Sequence, residues 1–233
     1  MVRLFDRNMF IMMLAIMLGV IIITFFTADI LNKTKLDEIE IKHDTEIKDI
    51  QSKNENFTSR FIRSNVVLDQ AREDRAIGNY HFDLGLLWYQ STLSEKNSTY
   101  FESYKIMGVT NCTQAMPEYN KSYNNFNQAN LYFTQTKYNT TNPKYIEIVD
   151  LYLNLTDLGA DLTKNLNKAS QYLKVLIQNL EFNIINNSVS FKLNLTDKLN
   201  EFEDLLDLIE DIEQEYEDIK SEIDEYEFFD EIR

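Results

Sequence analysis

The alternation of apolar and polar positions changes character several times along the chain. From Met9 to Ala28 the sequence reads MFIMMLAIMLGVIIITFFTA, a run without a single charge. As a helix rising about 1.5 Å per residue, it would span roughly 30 Å, the thickness of a bilayer's hydrocarbon core. A secretory signal's apolar region is only about 7–15 residues long and closes on small residues. Here the last turn is Phe25-Phe26-Thr27-Ala28, and no cysteine follows directly for lipid attachment. The pattern therefore predicts a transmembrane signal anchor over 9–28, behind a short cytoplasmic tail of residues 1–8. Arg3 and Arg7 place the N-terminus inside under the positive-inside bias, while Lys33 and Lys35 pull the other way.

Beyond the anchor the period becomes helical. Leu36, Ile39, Ile47, Ile50, Phe57, Phe61, Val67 and Leu68 recur mostly at three, four or seven positions, with charges between them. This predicts a long stalk helix over 29–77, ended by Gly78-Asn79, a pair suited to a helix C-cap. Residues 80–109 are the most apolar outside the anchor, with Tyr80, Phe82, Leu84, Leu86, Leu87, Trp88, Tyr89, Tyr100, Phe101 and Tyr104. They predict a helix buried on more than one face. A turn through Thr110–Pro117, a helix over 118–138 and another opened by Asn142-Pro143 follow, the latter reaching about Ile184 with Gly159 as a candidate interruption. Together they predict an antiparallel helical bundle over 78–190.

The final stretch carries the sharpest period. Phe202, Leu205, Ile209, Ile212, Tyr216, Ile219, Ile223 and Tyr226 alternate steps of three and four, a heptad seam. Around it, residues 201–233 hold 16 Asp/Glu against Lys220 and Arg233. A coiled-coil-like acidic helix over 191–233 is expected, its seam offered to a protein partner or docked on its own bundle. Parallel self-pairing is disfavoured by carboxylate repulsion, and whether the chain forms a homo-oligomer is open.

Composition narrows the class. Five Gly and two Pro in 233 residues cannot supply the turns that a sandwich, barrel or nucleotide-binding sheet needs. One cysteine excludes a disulfide scaffold and a zinc ribbon. A net charge of −15 excludes a basic nucleic-acid surface. The expected fold is all-α: transmembrane helix, stalk, antiparallel bundle and acidic heptad helix.

Nine Asn-X-Ser/Thr sequons start at Asn32, Asn56, Asn97, Asn111, Asn120, Asn139, Asn154, Asn186 and Asn194. Chance placement of this many Asn and Ser/Thr predicts about three. The excess points to an N-glycosylated region outside the membrane and agrees with Arg3 and Arg7 on orientation.

Catalytic chemistry is not legible. Glu40-Ile-Lys-His43 fits Glu-x-x-His, but a di-iron bundle needs two such motifs, and His81 has no Glu three residues before it. Hydrolase, zincin, phosphate-loop, dinucleotide and calcium-loop patterns are absent. Cys112, inside the Asn111-Cys-Thr sequon, is expected in an exposed loop, free for an intermolecular disulfide. No metal, cofactor or catalytic residue is expected. The aromatic group around Trp88 reads as core. Phe126-x-x-Ala129-x-x-x-Phe133-x-x-Thr136 resembles the second helix of a tetratricopeptide repeat, and Gly78-Asn79-Tyr80 resembles that repeat's turn. The resemblance covers one helix, with no 34-residue recurrence. The expected function is a non-enzymatic structural or protein-interaction module, membrane-anchored at the cell surface. The alternatives are a ligand-sensing bundle working through a partner, a tetratricopeptide-like adaptor or an envelope hydrolase.

Overall fold

The computed structural model describes the backbone of residues 2–226 and the side chains of residues 41–226. The architecture is all-α with one small hairpin: α1 (Val2–Ser94), α2 (Ser98–Lys137), α3 (Pro143–Gln178), β1 (Leu180–Asn183), β2 (Ser188–Phe191) and α4 (Thr196–Glu225). The chain divides into two compact units, Met1–Lys53 and Asn54–Arg233. The expected anchor, Met9–Ala28, lies outside the residues whose side chains are described. Among the described residues no helix is long and apolar enough to cross a membrane. In the first unit, every described side chain (Ile41 to Lys53) is exposed. There the helix surface carries i,i+4 pairs such as Lys53–Asp49 at 2.8 Å, each worth a few tenths of a kcal/mol.

The second unit is a helical bundle with two core clusters. One gathers Phe57, Phe61 and Leu68 from α1, Phe126 and Phe133 from α2, Tyr152 and Leu155 from α3, and Tyr216 and Ile223 from α4. Its rings interlock: Phe61 meets Tyr152 edge-on at 5.3 Å and Phe133 stacks on Tyr152 at 4.8 Å. The other joins Phe82, Cys112, Tyr119, Leu162, Leu173 and Ile177 to Phe202, Leu205 and Ile209. Buried hydroxyls are satisfied, Ser122 of α2 donating across to the Ala71 carbonyl of α1 at 2.7 Å and Thr163 within α3 to the Gly159 carbonyl at 2.6 Å.

Several expected boundaries move. The stalk was expected over 29–77, but Phe57, Phe61, Leu68 and Ala71 are core residues. Nor does α1 stop at Gly78-Asn79; it runs on to Ser94. Gly78 serves close approach rather than capping, because a Cβ there would stand 2.6 Å from the Tyr119 ring. Gly85 and Gly108 make the same room for Cys112 and Ile177, and Gly159 for the Phe126 ring. The expected turn at Thr110–Pro117 is helix, with Pro117 inside α2. Proline there removes one helical bond, yet Cys112, Ala115 and Tyr119 are all fully buried around it. Packing of the buried face outweighs the local cost. The break instead falls at Glu95–Asn97, where the Asn97 side chain caps α2 by accepting from Thr99 N at 2.9 Å.

The Asn142 cap and Pro143 at the first turn of α3 are as expected, with Asn142 accepting from Lys144 N at 3.1 Å. However, α3 ends at Gln178, not near Ile184. The polar stretch that follows is an antiparallel hairpin pairing Leu180 with Phe191 and Asn183 with Ser188. Asn187 takes the left-handed conformation in its turn, a conformation asparagine tolerates. The helices run 40, 36 and 30 residues in α2, α3 and α4. A tetratricopeptide repeat fits two helices into 34 residues, so the Phe126–Thr136 pattern records ordinary bundle packing.

Gly159→Ala should lower stability by about 1–3 kcal/mol, since the new methyl meets the buried Phe126 ring. A urea unfolding midpoint reads this directly, and an unchanged midpoint would mean the helices have room to separate.

Candidate functional site

The heptad seam of α4, expected either to meet a partner or to dock on the chain's own bundle, is filled from within the chain. Phe202, Leu205, Ile209, Tyr216 and Ile223 are buried, and Ile212, Ile219 and Tyr226 are half-buried beside them. Sequence period alone could not distinguish a partner helix from the chain's own bundle, and the bundle's apolar face, which α4 covers, decides it. The Tyr216 hydroxyl accepts from Arg72 Nε at 3.0 Å, while the Arg75 guanidinium lies 4.3 Å above its ring. Arg75 Nη1 is buried without a hydrogen-bond partner, its charge met by the ring faces of Tyr216 and Phe126. What α4 leaves toward solvent is the carboxylate face, including Glu203, Asp207, Glu210, Asp211, Asp218 and Glu222.

The sequon asparagines all lie off the core wherever their side chains are described. Asn56, Asn97, Asn120, Asn154, Asn186 and Asn194 are exposed, and Asn111 and Asn139 are half-buried; Asn32 lies outside the described side chains. Their amide nitrogens differ in freedom. Asn111 Nδ2 donates back to the Met107 carbonyl at 2.9 Å, and Asn139 Nδ2 to the Gln135 carbonyl at 2.6 Å. Asn97, Asn186 and Asn194 lie outside the helices and use only their Oδ1 atoms, accepting from Thr99 N, Ser188 Oγ and Thr196 N respectively. Among the described residues their Nδ2 groups donate to no acceptor, and the three residues are exposed. Asn120 Oδ1 accepts from Asn167 Nδ2 at 2.6 Å, inside a helix.

Cys112 is not in an exposed loop. It is fully buried in α2 against Gly85, and burial pushes its thiol up to about 12. It is neither a nucleophile nor a disulfide partner while the bundle is folded. His43 is exposed, Glu40 lies outside the described side chains, and His81 Nδ1 sits 3.3 Å from Asn111 Oδ1. Among the described residues no three His, Cys, Asp or Glu converge on a possible metal position. The aromatic stretch after Gly78 is less buried than its composition implies. Phe82 and Phe101 are core, but Tyr80 and Tyr100 are 63% and 57% exposed. Trp88 stacks on Tyr104 at 5.3 Å, and Tyr104 on Tyr100 at 6.2 Å, a ladder along the α1–α2 surface.

Sequence reasoning missed the acid-poor surface. No Asp or Glu occurs between Glu55 and Asp69, or between Glu118 and Glu147. These segments of α1 and α2 meet in a groove of about 320 Å³ lined by Ser59, Arg60, Arg63, Tyr132 and Gln135. The signal was present as a gap in charge, visible only when the two helices are set side by side. By contrast, the cleft between α3 and α4 is acidic, with Asp157 and Asp161 facing Glu215.

Burial, and secondarily the Asp161 charge, raises the Asp157 carboxyl above the ordinary aspartate value of 3.8. Asn130 Nδ2 donates to it at 2.8 Å. The folded chain therefore holds this proton more tightly than the unfolded chain, and stability falls as pH rises through the window just above 3.8. Glu201, lowered by the hydrogen bond from Lys198, has the opposite sign but is fully exposed and screened. As pH is lowered toward 3.8 the Asp157 carboxyl should add to the unfolding midpoint, and the midpoint difference between the parent and Asp157→Asn should change over that interval. A difference that stays constant over the same interval would overturn the assignment.

Compared with protein-family models, curated proteins and solved structures, the chain matches none.

Proposed function

We propose that this chain is a membrane-anchored, N-glycosylated protein of the cell surface, acting as a non-enzymatic structural or interaction module. In this reading Met9–Ala28 is a single transmembrane anchor, the N-terminus is cytoplasmic and the helical bundle is extracytoplasmic. The observation that carries it is the distribution of sequons. Nine occur where chance predicts about three, and none of the eight with described side chains is in the core. The uncharged run supports the anchor by length alone: roughly 30 Å of helix against a hydrocarbon core of the same thickness. The interaction surface in this reading is the solvent face of α4. Its seam is occupied by the bundle, so a partner would meet carboxylates rather than the apolar stripe, and association would weaken with salt.

Topology tests the reading first. A C-terminal tag should be cut by protease added to intact cells; a tag protected until the membrane is opened would overturn it. Glycan position tests it at atomic level. In protein from the native host, glycopeptide mass spectrometry should find glycan at Asn97, Asn186 and Asn194, whose amide nitrogens are free and lie outside helices. Asn111, bonded back to Met107, should be bare. Thr99→Ala, Ser188→Ala and Thr196→Ala each remove a sequon while keeping its asparagine, so that mobility collapses stepwise with the Asn97 cap intact. A chain running at its bare mass of 27.6 kDa would remove the glycosylation claim.

A further inference from the structure

The chain carries 38 acidic residues against 23 basic ones, yet of the four arginines with described side chains only Arg72 pairs with a carboxylate, and Arg75 lies over the Tyr216 and Phe126 rings. The other two, Arg60 and Arg63, form a pair. They sit one turn apart on α1, and both are exposed. Among the described residues neither forms a salt bridge: Arg60 Nη1 donates to Gln135 Oε1 at 3.4 Å, and Arg63 Nη2 to the Tyr132 hydroxyl at 3.0 Å. The Arg63 guanidinium also lies 4.6 Å from the Tyr132 ring centroid, and Gln128 Nε2 donates to the same hydroxyl at 2.8 Å. Tyr132 is thus held from one side and orients Arg63 from the other.

Two like charges one turn apart repel, and ordinary surfaces place a carboxylate three or four positions away to offset them. In this chain those positions, besides the two arginines themselves, are Asn56, Phe57, Ser59, Ser64, Val66 and Val67. The facing stretch of α2 supplies only amides and hydroxyls. Guanidinium is the group whose planar, multi-donor geometry matches carboxylate, sulfate and phosphate oxygens. We propose that the groove formed by Ser59, Arg60, Arg63, Tyr132 and Gln135 is a binding site for an oxyanion: the carboxylate, sulfate or phosphate group of a small ligand. Arg60 and Arg63 supply the charge, the Ser59 hydroxyl and Gln135 amide supply further donors, and Tyr132 fixes the approach. The site belongs to the folded bundle and does not depend on where the protein resides.

The test uses the full chain in a neutral detergent, labelled with [15N]arginine, at a constant ionic strength of about 0.1 M set with chloride. Inorganic phosphate, sulfate and glucuronate are titrated separately, and the arginine Nε–Hε signals are followed by NMR. Arg60→Gln and Arg63→Gln assign the two signals. At least one of the three anions should shift both signals along a saturating curve, with the remaining arginine signals unmoved. Which anions saturate distinguishes a tetrahedral sulfate or phosphate group from a sugar carboxylate. The double variant should weaken binding at least tenfold, read on the Tyr132 ring signals. Lys121→Gln, which removes one positive charge from a lysine paired with Glu118, should leave the affinity within twofold. Circular dichroism confirms that each variant is folded. The proposal is overturned if no anion gives a saturating shift. It is equally overturned if the double variant binds like the parent, or if all arginine signals drift together.

Discussion

Tyr216 is the point on which the docking of α4 turns. Its side chain is 1% exposed, its hydroxyl takes the Arg72 Nε hydrogen at 3.0 Å, and the Arg75 guanidinium lies over its face at 4.3 Å. The helix that brings it carries most of the chain's excess negative charge. Carboxylates crowded on the outward face of a helix repel one another, and the seam must offset that repulsion by burial. Fully burying a large apolar side chain contributes about 1.5–3 kcal/mol. Five buried seam residues therefore supply an attraction of the right order, and the two α1 arginines direct it to one register. Both arginines approach the inner side of α4, so the cations face the ring and the carboxylates keep to water.

The rest of the bundle follows from long helices meeting with few turns. With so little glycine to spend, the chain places Gly78, Gly85, Gly108 and Gly159 where a helix must approach Tyr119, Cys112, Ile177 and Phe126. This explains where sequence reading succeeded and where it did not. The all-α class, the Asn142-Pro143 start of α3 and the α4 seam were legible because each rests on local pattern. Gly78-Asn79 reads as a stop signal in isolation, since the ring that needs the space comes from Tyr119, 41 positions later. Pro117 reads as a break for the same reason, and Cys112 as a loop residue. In each case contacts distant in sequence override a correct local preference.

The candidate sites show the same division. Asn97 and Asn194 could be named as sequons, but only the structure shows that their Oδ1 atoms are engaged while their amide nitrogens donate to no described residue. The seam of α4 was visible as a period, yet its occupant was not, because heptad spacing describes one surface and says nothing of the other. The arginine groove was invisible to motif reading. It is defined by what is missing, carboxylates on two segments separated by some fifty residues.

Charge on this protein is sorted rather than spread. Residues 201–233 hold 16 acidic groups against two basic ones, while the facing stretches of α1 and α2 rely on Asn, Gln, Ser and Thr for their hydration. Amides and hydroxyls solvate a helix without setting up a field, so the body of the bundle stays close to neutral beside a strongly acidic edge. At an ionic strength of about 0.1 M the Debye length is about 10 Å, shorter than the width of a bundle of helices spaced 8–10 Å apart. Beyond that distance the α4 carboxylates are screened, and an anion near Arg60 and Arg63 senses those two charges first. At about 0.01 M the Debye length grows to about 30 Å, and more of the α4 carboxylates then oppose an anion there. Sorting the charge in this way lets one small chain present a repelling face and an accepting groove at physiological salt, where an even mixture of the same residues would present neither.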